Sequence, residues 1–267
     1  MKNQHKNKAS ILFIVLSAVF ITNTLIAEFI GVKIFSLEKT LGFQPVSINL
    51  FGISNLSFQL TAGVLIWPIV FVLTDIINEY FGPKGVIRLS YLAISMIAYA
   101  FFIVYLAIHL VPADFWPTSH LDFQQDELKK QALANDVCNY NTAFGLVFGQ
   151  GLKIIVASLT AFLISQILDV LIFHKIKLWT GEKRIWLRST GSTIISQFFD
   201  SYIVLFIAFY LGANWPLATV LAIGTVNYIY KVSMAILLTP LIYLFHGIIE
   251  NYLGYDLSKF IRERAMK

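Results

Sequence analysis

The chain alternates long apolar runs with shorter polar connections. At a rise of about 1.5 Å per residue, a helix needs roughly 20 apolar residues to cross a bilayer. Six runs meet that requirement: 10–32, 61–81, 86–111, 151–173, 189–212 and 216–249. The first is too long for the apolar part of a signal peptide and lacks a small-residue cleavage pattern, so it reads as a retained span. Between 33 and 60, Gly42, Pro45, Asn49, Gly52 and Asn55 punctuate short apolar pieces, which predicts a turn-rich hairpin or a partly re-entrant segment. Between 112 and 149, Asp122, Asp126, Glu127, Lys129 and Lys130 predict a short surface helix. Each connection reads either as a lid or as a plain solvated loop. The whole pattern predicts an all-α integral membrane protein, one domain over 1–267 with six transmembrane helices.

Composition agrees with that reading. With 57% hydrophobic residues, 13% charged and a mean hydropathy of +0.72, the chain lies well outside the range of soluble domains. Its one cysteine, Cys138, allows no internal disulfide, so helix packing must hold the fold. The net charge of +5 sorts by connection. Lys2, Lys6 and Lys8, then Lys84 and Arg88, then Lys175, Lys177, Lys183, Arg184 and Arg188, and finally Lys259, Arg262, Arg264 and Lys267 fall on one side. Only Lys33, Lys39, Lys129 and Lys130 fall on the other, while Lys153 and Lys231 lie within spans. The rule that basic loops stay inside then puts both termini in the cytoplasm. Aromatic and basic residues do not interleave on a polar surface, which argues against nucleic acid as a partner and leaves the lipid bilayer; a homo-oligomer stays open. There is no phosphate-binding loop, and His5, His109, His120, His174 and His246 form no helical metal pair, so neither cofactor nor metal is expected.

Polar residues inside the apolar runs carry the functional signal. Ser165-Gln166-Ile167-Leu168-Asp169 and Ser196-Gln197-Phe198-Phe199-Asp200 repeat one pattern in successive spans. A carboxylate in hydrocarbon costs about 2.5–3.5 kcal/mol on insertion scales. In each copy the Ser, Gln and Asp share a helical face, and an antiparallel hairpin brings the copies to a similar depth. They form either part of a site or hydrogen-bonded glue between helices. In the second span Trp67, Phe71, Asp75, Asn78 and Glu79 lie on one stripe. Pro68 is expected to kink that helix, and Glu79 reads either as a site residue or as a charge at the inner boundary. Lys231, with Asn227 four residues before it, is expected to pair with Asp200 or Asp75. Asn23 and Glu28 are expected to reach the same cavity from the outer half. The acids outnumber the lysines within the spans, so one acid is expected to be protonated, which opens proton coupling without establishing it.

Trp67-Pro68, Phe71, Thr74-Asp75, Glu79-Tyr80 and Gly82, with Lys153, Ala157-Ser158-Leu159, both Ser-Gln-x-x-Asp copies, Gly191-Ser192-Thr193, Lys231 and Thr239-Pro240, resemble the queuosine precursor transporters of the vitamin uptake transporter family. The resemblance runs from the first span to the sixth; Asn23 and Lys33 fit it loosely and Glu28 is not assigned by it. It implies an inner (plasma) membrane importer of 7-deazaguanines, such as 7-cyano-7-deazaguanine, salvaged for tRNA modification, and kinship with the substrate-binding subunits of energy-coupling factor transporters. The substrate-binding residues would be Asn23, Trp67, Phe71, Asp75, Asn78, Glu79, Gln166, Asp169, Gln197, Asp200, Asn227 and Lys231. Carboxylates would accept the N–H groups of a guanine-like edge and aromatic rings would stack on the base. Two other readings stand beside this one: the binding subunit of an ATP-driven uptake complex, and an intramembrane enzyme pairing Asp75 with Asp200, which lacks any further catalytic signature.

Overall fold

Hydrogen bonds that the lipid cannot supply must be made within each helix, and helices dominate the structure. A computed structural model describes residues 2–122, 124–181 and 184–265, without the side chains of residues 2–6 and 153. Lys2, His5, Lys6, Lys153, Lys183 and Lys267, used above, therefore lie outside the described residues or side chains. Helix α1 (Lys2–Ile30) leads into β1 (Ile34–Ser36), a single turn α2 (Leu37–Thr40), β2 (Ile48–Leu50), β3 (Ile53–Leu56) and β4 (Gln59–Thr61). β1 pairs antiparallel with β4 and β2 with β3, so the expected hairpin is present as two small sheets within an otherwise helical molecule. Glu38 ties α2 to the β1–β4 sheet, its carboxylate accepting from the Phe58 amide just before β4 at 2.8 Å and from the Ser36 hydroxyl of β1 at 3.2 Å.

A 3-10 turn at Ala62–Leu65 precedes α3 (Trp67–Ile108). α3 joins what hydropathy divides into two spans. Its 42 residues are interrupted at Gly82, whose φ of 72° and ψ of 178° lie outside the helical region. Only glycine adopts that backbone without strain. The expected kink at Pro68 is absent, because Pro68 sits in the first turn, where its missing N–H has no helical partner to lose. A Cβ on Gly82 would lie 2.9 Å from the Ala265 carbonyl oxygen, so the break also admits the end of the chain.

The connection between α3 and α6 carries a short 3-10 turn (Trp116–Thr118), α4 (Ser119–Asp122) and the expected surface helix α5 (Glu127–Asp136), capped by the Asp126 side chain. α6 (Tyr140–Thr180) overruns the predicted 151–173 at both ends. Asn139 caps its start, accepting from the Thr142 amide, and Gly181 with φ 63° stops it. Caps, not hydropathy, set those ends. At roughly 60 Å long, α6 exceeds the bilayer core.

α7 (Ile185–Leu205) continues into a π-helical turn (Phe206–Leu211), and α8 (Leu217–Leu237) follows. The predicted run 216–249 breaks at Leu238, where α9 (Thr239–Leu253) begins with Pro240 in its first turn; α10 (Tyr255–Ala265) follows Gly254. Among the described residues, five helices are long and apolar enough to cross a membrane: Asn7–Ile30, Trp67–Ile108, Tyr140–Thr180, Ile185–Leu211 and Leu217–Leu237.

α3 runs through the middle, packed by α1, α6 and α10, while α7 packs between α6 and α8. Phe20, Val70, Ile76, Ile77, Val86, Ala93 and Val170 fill the core. Outside it, large apolar side chains are bare, with Tyr99 62%, Val156 69% and Leu237 68% exposed. Such a surface is tolerable in lipid and would aggregate in water.

Candidate functional site

Where the start of α3 meets α7, α8 and α9, a cavity of about 450 Å³ including its open mouth lies in the bundle. Trp67, Phe71 and Asp75 follow one another at four-residue spacing along α3, so all three point into it. The Trp67 and Phe71 rings stack with centroids 6.0 Å apart at 19°. α7 contributes Ser189, Thr190 and Thr193, and α8 contributes Tyr230, Lys231 and Met234. Asp75 is 3% exposed; the Ser189 hydroxyl donates to its Oδ2, while Oδ1 has no partner among the described residues.

Behind this cavity the two Ser-Gln-x-x-Asp copies pair reciprocally. Ser196 donates to Asp169 at 2.9 Å, and Ser165 donates to Asp200 at 3.3 Å. The antiparallel packing of α6 on α7 places them so. Lys231 reaches Asp200 at 2.5 Å, realising one of its two expected pairings. Gln166 donates to the Thr74 hydroxyl at 3.1 Å, and Thr74 itself donates to the Val70 carbonyl, which fixes the Gln166 amide with Oε1 unpartnered among the described residues. Asn78 donates to the Val170 carbonyl at 3.3 Å, leaving its Oδ1 unpartnered, and Gln197 is buried with Oε1 likewise unpartnered among the described residues.

Further along α3, Glu79 meets Arg188 at 2.7 Å and Lys177 at 3.2 Å, and Lys177 also donates to the Glu79 carbonyl at 2.8 Å. Arg188 caps the end of α6 through the Gly181 carbonyl at 2.7 Å. Lys177 and Arg188, counted above among the connection charges, are thus buried partners of Glu79. Next to them Tyr80 bonds His246 at 2.7 Å, and Arg262 bonds both His246 and Glu250, tying α9 and α10 to α3. The sequence marked Glu79 and Tyr80 but not their partners in this second cluster, since Lys177, Arg188, His246, Glu250 and Arg262 come from other helices and share no repeat with them.

Of the expected site residues, Trp67, Phe71, Asp75 and Lys231 line the cavity, and Asp200 joins them through Lys231. Asn78, Gln166, Asp169 and Gln197 pack behind it, and Glu79 belongs to the ion cluster. Asn227 and Asn23 do not reach it: each donates to a carbonyl one turn back in its own helix, Ile223 and Val19 respectively. Glu28 accepts from Ser158 on α6 at 2.7 Å, also away from the cavity. The expectation that Asn23 and Glu28 enter from the outer half is therefore not met. Ser189, Thr190, Tyr230 and Met234 were not singled out, and Thr193 only within the Gly191-Ser192-Thr193 motif, because a hydroxyl or apolar residue in a span has no distinctive spacing. Asp75 and Asp200, the pair considered for catalysis, have separate partners, and among the described residues no group of His, Cys, Asp and Glu could hold a metal.

Long apolar helices with bare apolar side chains around an internal cavity define a multi-pass helical membrane protein. Residues 61–245 match the family model described as "Putative vitamin uptake transporter", and the chain belongs to that family. It is similar to a Bacillus subtilis (strain 168) protein named "Probable queuosine precursor transporter", 28% identical over 215 residues, covering 79% of this chain and 83% of the relative. A Haemophilus influenzae protein of the same name is 26% identical over 79% of this chain and 77% of its own length. The "Queuosine precursor transporter" of Escherichia coli (strain K12) is 27% identical over 69% of this chain and 71% of its own. No solved structure matches the chain. Family and relatives make this protein a membrane transporter and not an enzyme.

Proposed function

We propose that the protein imports queuosine precursors, 7-deazaguanines such as 7-cyano-7-deazaguanine, across the inner membrane through the cavity on α3. The observation that carries this reading is Asp75: a carboxylate in the cavity with one oxygen unpartnered among the described residues, about one turn from Phe71 and two from Trp67, whose rings stack. A guanine-like edge presents adjacent N–H donors, which a carboxylate oxygen accepts, and the flat base extends the aromatic stack. The names of the three relatives favour that substrate class over other vitamins.

In this reading α3 counts as two spans divided at Gly82, for six in all, with both termini in the cytoplasm. Lys8, Lys84, Arg88, Lys259 and Arg264 then face the cytoplasm, as the basic-loop rule requires. Gly82 and the ion cluster lie at the inner end, and the cavity alternates access between the faces.

The test is uptake of labelled 7-cyano-7-deazaguanine by cells unable to make it. Expression of the protein should restore accumulation. D75N should weaken binding by about 2 kcal/mol, roughly thirtyfold, the order of a hydrogen bond to a charged group. Full uptake by Asp75→Ala together with Asp200→Ala would remove the assigned site.

A further inference from the structure

Outside the substrate cavity, one buried acid, Asp169, has no counter-charge among the described residues. Among the described residues in the centre of the bundle, Asp75, Glu79, Asp169 and Asp200 face Lys177, Arg188 and Lys231, one acid more than there are cations. Glu79 takes both Arg188 and Lys177, and Asp200 takes Lys231. The neighbouring Arg262 and Glu250 balance each other. Asp75 and Asp169 are left with serine hydroxyls, Ser189 and Ser196, and with no ion pair among the described residues. The two acids are electrostatic neighbours. Asp75 is also within the fields of Glu79 and Arg188, and Asp169 faces Ser192, Ser196 and Thr193 on α7.

Two adjacent carboxylates in hydrocarbon cannot both stay charged, because each unpaired ion costs several kcal/mol to desolvate. The closed bundle therefore holds one negative charge and one proton between them. Asp75 lines the cavity and must be a carboxylate to accept substrate N–H groups; Asp169 does not line it.

Resting on the importer reading above, we infer that Asp169 is the proton site that couples substrate import to the proton gradient. Substrate on charged Asp75 holds the proton on Asp169; opening to the cytoplasm admits water, and the carboxylic acid O–H of Asp169 releases its proton with the substrate. Linkage is reciprocal, so one proton bound with substrate makes affinity fall by about tenfold per pH unit once the free protein has lost that proton.

The experiment measures Kd of the purified, full-length protein for 7-cyano-7-deazaguanine across pH 5–9, with proton uptake on binding read in a weakly buffered solution. The expected result for the wild type is uptake of up to one proton per substrate bound and an affinity that weakens towards high pH. For D169N a single Kd across the range and no proton uptake are expected, and in vesicles a pH step should drive accumulation by the wild type only. Wild-type binding with neither proton uptake nor pH dependence would overturn the coupling and leave the importer reading standing. So would a D169N protein whose affinity keeps the wild-type pH dependence. Absence of wild-type binding at every pH would overturn the substrate assignment, and the coupling with it.

Discussion

Glu79 illustrates at the residue scale how this molecule carries charge in its interior. Burying a single carboxylate is costly, but here Arg188 and Lys177 surround it and the Gly181 carbonyl takes a further guanidinium N–H. Arg188 is fully buried, so its removal leaves Glu79 with one partner in place of two. R188A should cost about 3–5 kcal/mol, lowering the melting temperature of the detergent-purified protein by about 10 °C. The triple variant E79Q/K177M/R188M should recover much of that loss, since it removes Glu79 together with both of its buried cations and leaves no uncompensated charge in the cluster. A single charge at Glu38 acts in the connection between α1 and α3. Burial pushes its carboxyl up, but the Phe58 amide and the Ser36 hydroxyl outweigh it and hold it below the ordinary value of 4.5. Its stabilisation of the sheets is thus complete above about that pH and lost as pH falls through the lower folded value. Limited proteolysis of residues 41–57 should accelerate below pH 4.5 in the wild type, and E38Q should remove that pH dependence.

Elements end where caps and glycines allow. The break in α3 serves two purposes: it turns the chain between its two halves and leaves room for the end of α10. G82A places a Cβ against the Ala265 carbonyl in a backbone conformation that only glycine adopts freely, at a cost of about 1–3 kcal/mol. Trypsin should then cleave after Arg262 and Arg264 several times faster than in the wild type, while the transmembrane core stays folded. Hydropathy located every long helix, yet it misplaced the ends of α6 by ignoring Asn139 and Gly181, and it ran α8 into α9 past Leu238. Apolar content says where lipid lies, whereas backbone hydrogen bonding says where a helix stops.

At the scale of the whole molecule, orientation is the property with the widest consequence. The single cysteine, Cys138, is exposed in the connection before α6, which the basic-loop rule puts outside. A membrane-impermeant maleimide should label it in intact cells, and C138S should abolish the signal; labelling only after lysis would reverse the topology and with it the direction assigned to the cavity.

The membrane setting, the α3 stripe and the repeated Ser-Gln-x-x-Asp pattern were readable from the order of residues, because hydropathy and helical periodicity are local. The Lys231 to Asp200 pair was legible in part, since a buried lysine needs an acid and few acids were available. Which Ser serves which Asp, the burial of Lys177 and Arg188 around Glu79, and the exclusion of Asn23, Glu28 and Asn227 from the cavity were decided only by tertiary structure. Those outcomes depend on how one helix is rotated against its neighbour, and that rotation is set by packing between residues distant in the chain.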